Sequence, residues 1–531
     1  MQDQSPEPNH DPAMTGAEAL VHTLLASEVT TCFANPGTSE MHFVAALDRI
    51  PGIACVLGLQ ENVVTGMADG YFRITGKPAA TLLHCGPGLA NGIANLHNAR
   101  RAGAGVVNVV GDHAIAHVPF DSPLTADVAA LAGACSQWYA YSTAPERIGP
   151  DAARAVQAAG AGYGQIATLV LPADVSWGEG GQIGAPLPAI AALPVVPSQI
   201  DHAAGRIRQG GRTIMILGTP ALSDAAQPLL AGLKAAGIEL MASPLVANQP
   251  MGRGRMAIPR VPYVVEVAMA ALAPFDTVIL VNCPPPTAFF LYPGRPSLVM
   301  RADAEVITLS RGDQDALAGL KGLMASLGIA PATPPAAAPR EKIAMTGPIE
   351  PEGFAEVVCD LLPDQSIVID EALTLGGGFP ARLPAAAPCN WLPLVGGAIG
   401  EGLPMATGAA IGAREQGEGH RRVIDIQADG SAAYTLQALW TQARENLPCT
   451  TLLLNNRKYA ILLGEYAKVG ANPGQTAFDM LSLDRPAIDW AGLAQSFGVR
   501  GVAVETLEAL HAALAEALAH DGPMLIDVRF A

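Results

Sequence analysis

The sequence predicts an α/β protein of three parallel-sheet domains, and three observations carry that prediction. Its 531 residues exceed one ordinary core and suit about three domains at roughly 150 residues each. Two proline-rich stretches, 186–197 and 329–351, resist helix and central strand alike and divide the chain into segments near 13–185, 195–330 and 350–531. Within each segment, short β-rich apolar runs alternate with longer helix-like runs, which is the pattern of parallel α/β sheets.

The clearest strand runs are 80–84 and 106–110 in the first segment, 213–217 and 277–281 in the second, and 423–427 and 450–454 in the third. Polar or glycine-rich groups follow several of them, where open α/β sheets bind ligands. This marks His84, Asp429 and the pair Asn455-Asn456 as the places to expect chemistry.

Composition narrows the function. Half the residues are hydrophobic and 15% are charged, which favours a compact body over disorder. A net charge of −17 argues against a nucleic-acid partner, because phosphate backbones need clustered Lys and Arg. An anionic cofactor must then be held locally by a metal, backbone N–H groups or a helix N-terminus. The eight cysteines are scattered without a C-x-x-C pair and read as reduced and mostly buried. Residues 1–12 are polar and proline-bearing and are expected to form a disordered tail, and no run of 18 apolar residues follows. The expectation is a cytoplasmic protein with no membrane partner.

The third segment holds Ala428-Asp429-Gly430-Ser431, then a helix-like run, then a strand ending in Asn455-Asn456. A carboxylate and an amide oxygen at two strand ends suit a hard octahedral cation, Mg2+, bridging a diphosphate. Gly430 would let the backbone approach phosphate and Ser431 would cap the next helix. Asp-Gly-Ser alone is an ordinary turn sequence. Its combination with Asn-Asn at this distance resembles the thiamine-diphosphate (ThDP) motif of 2-oxo acid decarboxylases and acetolactate synthases, with benzoylformate decarboxylases most alike. The resemblance implies Asp429, Asn456 and the carbonyl of Lys458 as metal ligands. Ala428 replaces the motif's first glycine and is expected to be harmless unless that position needs positive φ.

Further up the chain, Glu61 opens a small-residue run, Glu61-Asn62-Val63-Val64-Thr65-Gly66-Met67-Ala68, preceded by Asn35-Pro36-Gly37-Thr38-Ser39-Glu40. Taken alone, Glu61 is a helix-start carboxylate favoured by the dipole. The run resembles the family's glutamate helix, which implies that Glu61 bonds the cofactor's pyrimidine ring and stabilises its imino tautomer. It also implies a pyrimidine-binding first domain, a doubly wound middle domain and a diphosphate-binding third domain. The glutamate and metal motif come from different subunits in this family, so a homodimer is the minimum and a homotetramer the usual form.

The same resemblance places Thr374, Gly397, Ile399, Gly430, Ser431, Tyr459 and Ile461 against the cofactor, with Ile399 as the bulky residue that keeps it bent. It matches His84 to a proton-transferring histidine and Thr38 to a substrate-binding serine. Phe289 stands where benzoylformate decarboxylases have a second histidine, and Leu462 where pyruvate decarboxylases have a glutamate. His113 and His117 have no assigned role. The implied reaction is decarboxylation of a 2-oxo acid through a C2 enamine. With fewer proton donors, the enamine could instead join an aldehyde or ketone acceptor, as in an acetolactate synthase-like carboligase; an inactive ThDP-binding regulatory subunit is the third reading. Acetolactate synthases usually bind FAD in the middle domain, but Gly218 and its neighbours form no G-x-G-x-x-G fingerprint, so FAD is not indicated.

Overall fold

The computed structural model describes residues 13–337, 342–376 and 378–530, so the tail expected at 1–12 lies outside the described residues. The chain divides into two compact units, the first taking residues up to 68, 77–96 and 105–190, the second 69–76, 97–104 and 191–531.

In the first unit, β1 (Thr31–Asn35), β2 (Ala54–Leu57), β3 (Ala79–Leu83), β4 (Val106–Asp112), β5 (Trp138–Tyr141) and β6 (Ile166–Pro172) form one sheet in the order β2-β1-β3-β4-β6-β5. All its neighbours run parallel. β3 stops at Leu83 and leaves His84 just beyond the strand end.

The second unit holds two sheets. β7 (Thr213–Leu217), β8 (Glu239–Ala242), β10 (Thr277–Val281) and β11 (Glu305–Ser310) make a parallel sheet in the order β11-β10-β7-β8, while β9 (Gln249–Met251) joins the third sheet. Alternation along β7 and β10 explains the helical cover on both faces. Ile214, Ile216, Val278 and Leu280 pack with Val265, Leu272 and Phe275, and Met215, Leu217, Ile279 and Val281 pack with Leu230, Leu233, Leu320 and Leu323. Each such side chain, fully buried, contributes about 1.5–3 kcal/mol.

The third sheet adds β12 (Ser366–Glu371), β13 (Cys389–Pro393), β14 (Val423–Ala428), β15 (Cys449–Asn455), β16 (Arg500–Val504) and β17 (Met524–Arg529), in the order β16-β17-β15-β14-β12-β13-β9. Only β9 is antiparallel. Its Pro250 lacks an N–H, which suits the edge it occupies. The three parallel-sheet α/β architecture expected from the sequence is therefore the one found, with β9 crossing from the middle segment as the departure. The chain order reverses between β12 and β14, and ligands collect at such a switch point.

One face of β14 carries Ile424 and Ile426 into the apolar core. The opposite face carries Asp425 and Gln427, both fully buried. Gln427 lies opposite Glu371 in the register and donates to it at 3.0 Å. Glu371 also accepts the N–H groups of Gly400 and Gly402, at 2.7 and 2.6 Å. Among the described residues, Asp425 Oδ1 and Gln427 Oε1 have no hydrogen-bond partner. Burial drives the Asp425 carboxyl well above its ordinary value, and the Glu371 charge adds to that effect. That direction favours the neutral carboxyl, whose proton would add a donor to a site that holds the oxygens of Glu371 and Gln427. Close by, Arg73 bonds Asp69 through two nitrogens at 2.8 and 2.6 Å and Glu401 at 2.8 Å.

The helix Gly402–Glu415 is rich in small residues and buried from Gly402 to Ala413. That smallness permits the close approach of Gly70, where a methyl group would stand 2.1 Å from the Met405 carbonyl oxygen. Gly70→Ala is expected to cost stability at or beyond the upper end of the roughly 1–3 kcal/mol typical of overpacking, read from denaturant unfolding; an unchanged midpoint would show the contact to be soft. A raised folded pKa contributes stability present below the unfolded value and lost as pH rises above it. Asp425→Asn mimics the neutral acid, so it should match the parent near pH 4 and become progressively more stable than it towards pH 8. Thermal melts across that range check the sign.

Candidate active site

Three strand ends at the switch point build a cleft. Ala372, Leu373, Thr374 and Leu375 follow β12; Ala428 ends β14, with Asp429, Gly430 and Ser431 after it; Asn456, Lys458, Tyr459, Ala460 and Ile461 follow β15. Residues marked on three separated stretches of sequence thus line one wall-and-floor arrangement.

Asp429 is 3% exposed. Its Oδ1 accepts the Gly430 N–H at 2.8 Å and its Oδ2 the Arg457 N–H at 2.7 Å, tying the β14 end to the β15 loop. Burial pushes its carboxyl above the ordinary aspartate range, and those backbone donors pull it back. The two asparagines divide their work. Asn455 is buried and donates to Asp527 at 2.8 Å, whereas Asn456 lines the cleft with its Oδ1 accepting the Lys458 N–H at 3.1 Å.

Ala428 has φ −73° and ψ 143°, extended backbone that alanine adopts freely, so the altered motif glycine carries no strain. The expected cap at Ser431 is corrected: the helix Asp429–Thr435 begins at Asp429, with Ser431 inside its first turn and no side-chain cap. Ser431 Oγ is buried without a partner among the described residues. Gly430 is needed for a different neighbour than expected, since a methyl group there would lie 2.4 Å from the Tyr459 ring.

The stretch 396–402 is pinned from several directions. Asn98 accepts the Ala398 N–H at 3.1 Å and donates to its carbonyl at 2.7 Å, and His97 meets the Gly396 carbonyl at 3.1 Å. Thr435 donates to the Gly400 carbonyl at 2.9 Å, and Glu371 holds the N–H groups of Gly400 and Gly402. Gly397 and Gly400, at φ 83° and 95°, require glycine. Ile399 sits half-buried between them. Phe289 packs against Gly397, its ring 2.5 Å from where a methyl group would be, and contacts Tyr263 and Phe290. Leu462 is 45% exposed and lies outside the cleft lining, whereas Ile461 belongs to it.

The same helix, Ala460–Lys468, presents Glu465 and Lys468 to a partner that sequence reasoning missed. Tyr292 donates to Glu465 at 2.6 Å, Lys468 pairs with Glu465 at 2.7 Å, and the Lys468 ammonium lies 5.5 and 5.6 Å from the Tyr263 and Tyr292 ring centres. The i, i+4, i+7 spacing of Ile461, Glu465 and Lys468 was the available signal.

In the first unit, Glu61 begins the helix Glu61–Thr75, capped by Gln60, which accepts the Asn62 N–H at 2.6 Å. Glu61 accepts from Asn91 at 3.0 Å. Gly88 lies between Glu61 and His84: a methyl group there would be 3.3 Å from Glu61 Oε1 and 3.4 Å from His84 Cβ. The His84 ring packs on Gly37, and its Nδ1 is 2.9 Å from Glu40 Oε2. Glu40 is fully buried and also accepts the Gly37 N–H at 2.7 Å. The sequence offered Glu40 only as part of a motif; its burial beside an imidazole was not readable there. Thr38 is exposed on the short turn Thr38–Glu40, and Ser39, not Thr38, reaches His84, at 3.3 Å. His113 stacks edge-on with His117 and bonds Ser122 at 2.9 Å.

The donor set fits a metal-bridged diphosphate. The cleft offers a buried carboxylate, an amide oxygen, the first turn of a helix and an unpartnered buried hydroxyl, Ser431 Oγ, suited to a phosphate oxygen.

Comparison with known proteins agrees with this arrangement. Residues 14–131 match the model of the thiamine pyrophosphate enzyme N-terminal TPP binding domain, and 379–528 the corresponding C-terminal domain. The chain is 44% identical to the acetolactate synthase large subunit-like protein IlvX of Mycobacterium tuberculosis, over 97% of this chain and 99% of that one. It is 28% identical to the benzoylformate decarboxylase of Pseudomonas aeruginosa, over 94% and 96%. Its fold matches a Rhodococcus jostii ThDP-dependent 4-hydroxybenzoylformate decarboxylase with a TM-score of 0.83 at 24% identity, covering 97% and 99% of the two chains. At that identity the likeness speaks for the fold alone. Among the described residues no helix is long and apolar enough to cross a membrane. With both cofactor-binding domains matched and a relative this similar along its whole length, the chain belongs to the thiamine pyrophosphate enzymes, as one of the decarboxylase and acetolactate synthase type.

Proposed function

We propose that the protein is a Mg2+-dependent decarboxylase of 2-oxo acids resembling benzoylformate decarboxylase. The observation that carries this reading is the placement of His84 against buried Glu40, on the same unit as Glu61 and next to it across Gly88. A proton-handling imidazole beside the activating glutamate is what protonation of a decarboxylated substrate requires.

In this reading Asp429, Asn456 and the Lys458 carbonyl hold Mg2+, while Thr374, Gly430 and Ser431 take the diphosphate oxygens. Ile399, Gly397, Tyr459 and Ile461 contact the cofactor, Glu61 hydrogen-bonds its pyrimidine, and Thr38 orients the substrate carboxylate. Bound ThDP supplies an acidic thiazolium carbon and a sink for the electron pair released by C–C cleavage. Glu40 keeps the His84 Nδ1–H in place, leaving Nε2 to move the substrate-side proton. Phe289, packed on Gly397, and Leu462, outside the cleft lining, are assigned to the substrate's remaining carbon chain by the resemblance alone. A cytoplasmic homodimer is the minimal active form and a homotetramer the complete one.

A carboligase using an aldehyde or ketone acceptor is the second reading, favoured by Phe289 and Leu462, which offer no proton at positions where related decarboxylases carry titratable groups. A panel of aromatic and aliphatic 2-oxo acids, with and without aldehydes, separates the two: CO2 with free aldehyde supports the decarboxylase, and hydroxyketone as main product without added aldehyde overturns it. Glu61→Ala should lose most turnover while still binding ThDP. His84→Ala should slow 2-oxo acid turnover by about 10²–10⁴-fold, the usual worth of a positioned acid or base; unchanged kinetics would make His84 structural.

A further inference from the structure

Beside the proposed proton relay lies a cluster with the composition of a metal centre. A carboxylate oxygen of Glu40, His84 Nδ1 and Cys85 Sγ lie within 4.8 Å of one another. The imidazole nitrogen is 2.9 Å from the carboxylate and 3.7 Å from the sulfur, and Ser39 Oγ approaches the sulfur at 3.1 Å. A tetrahedral zinc ion with ordinary bond lengths sets N···O and N···S separations of about 3.4 and 3.6 Å. The cluster already has the second spacing, needs the first opened by roughly half an ångström, and holds its carboxylate oxygen and sulfur within 4.8 Å, to be drawn to about 3.6 Å by the metal.

The donors are also preset. The Gly37 N–H fixes Glu40, and the absence of side chains at Gly37 and Gly111 makes room for the imidazole and the carboxylate. Cys85 adopts φ 52° at the turn from β3 into the helix Cys85–Ala102, an unusual conformation for a residue other than glycine. A hydrogen-bonded Glu40–His84 pair needs no thiol beside it, so the thiol is the feature left to explain.

We propose that Glu40, His84 and Cys85 form an inhibitory site for a thiophilic divalent cation, with zinc as the model ligand. Binding forms Zn–O, Zn–N and Zn–S bonds, releases the Sγ proton to solvent, transfers the single imidazole proton from Nδ1 to Nε2, and leaves the fourth position to water or the Ser39 hydroxyl. A metal on Nδ1 fixes the proton on Nε2 and ends the imidazole's ability to accept another. The inhibition rests on the proton role proposed for His84; the binding does not.

Titration of the full-length protein with Co2+ reads binding directly, through the thiolate-to-cobalt charge-transfer band in the near ultraviolet. The parent should show the band and lose it when Zn2+ is added, and Cys85→Ser should lack it. With ThDP and saturating Mg2+, micromolar Zn2+ should inhibit the parent, while Cys85→Ser and Cys85→Ala keep basal turnover and lose at least about tenfold in zinc sensitivity. Absence of a Cys85-dependent band overturns the site. A band without inhibition overturns the inhibitory role and counts against His84 as the relay, while leaving the 2-oxo acid reaction to its own assay.

Discussion

A carboxylate buried at a strand end sets the terms for the rest of the third sheet. Asp429 is nearly inaccessible, burial is the strongest influence on its titration, and among the described residues no cationic side chain pairs with it. Two backbone N–H groups offset part of the desolvation cost, which suits an anion meant to meet a cation from the cleft side. The acidic net charge of the chain makes the same demand from another direction: a diphosphate is repelled unless a metal and helix N–H groups meet it locally.

Around that point the structure spends its polar groups on position. Glu371, Asn98, His97 and Thr435 together hold the stretch that carries Gly397 and Ile399. The Tyr459 ring covers Gly430, and Tyr292 with Lys468 and Glu465 braces the helix that leaves the cleft. Rigid support of this kind is what a site needs when reactivity depends on the shape in which a cofactor is held.

Much of this was legible in the sequence, for identifiable reasons. Strand runs such as 213–217 were readable because both faces are buried and the residues are continuously apolar. Asp429 and Asn456 stood out because they sit just after such runs, whereas Lys458 and Tyr459 entered only through the resemblance to the family motif. What stayed hidden depends on contacts distant in sequence. Asp425 and Gln427 look like ordinary alternation in β14, and only the register with Glu371 shows them buried. Glu40 gains its partner from a residue 44 positions away. Ser431 was misread as a cap because Asp429 begins the helix itself, and β9 was hidden by its three-residue length.

The account turns on the cleft at the ends of β12, β14 and β15 holding ThDP through a metal on Asp429 and Asn456. Isothermal titration of the metal-free protein with ThDP, repeated with Mg2+ present, tests this most directly. The account predicts saturable binding that requires Mg2+ in the parent and is lost in Asp429→Ala. Equal affinity with and without the metal, or full binding by Asp429→Ala, would contradict it.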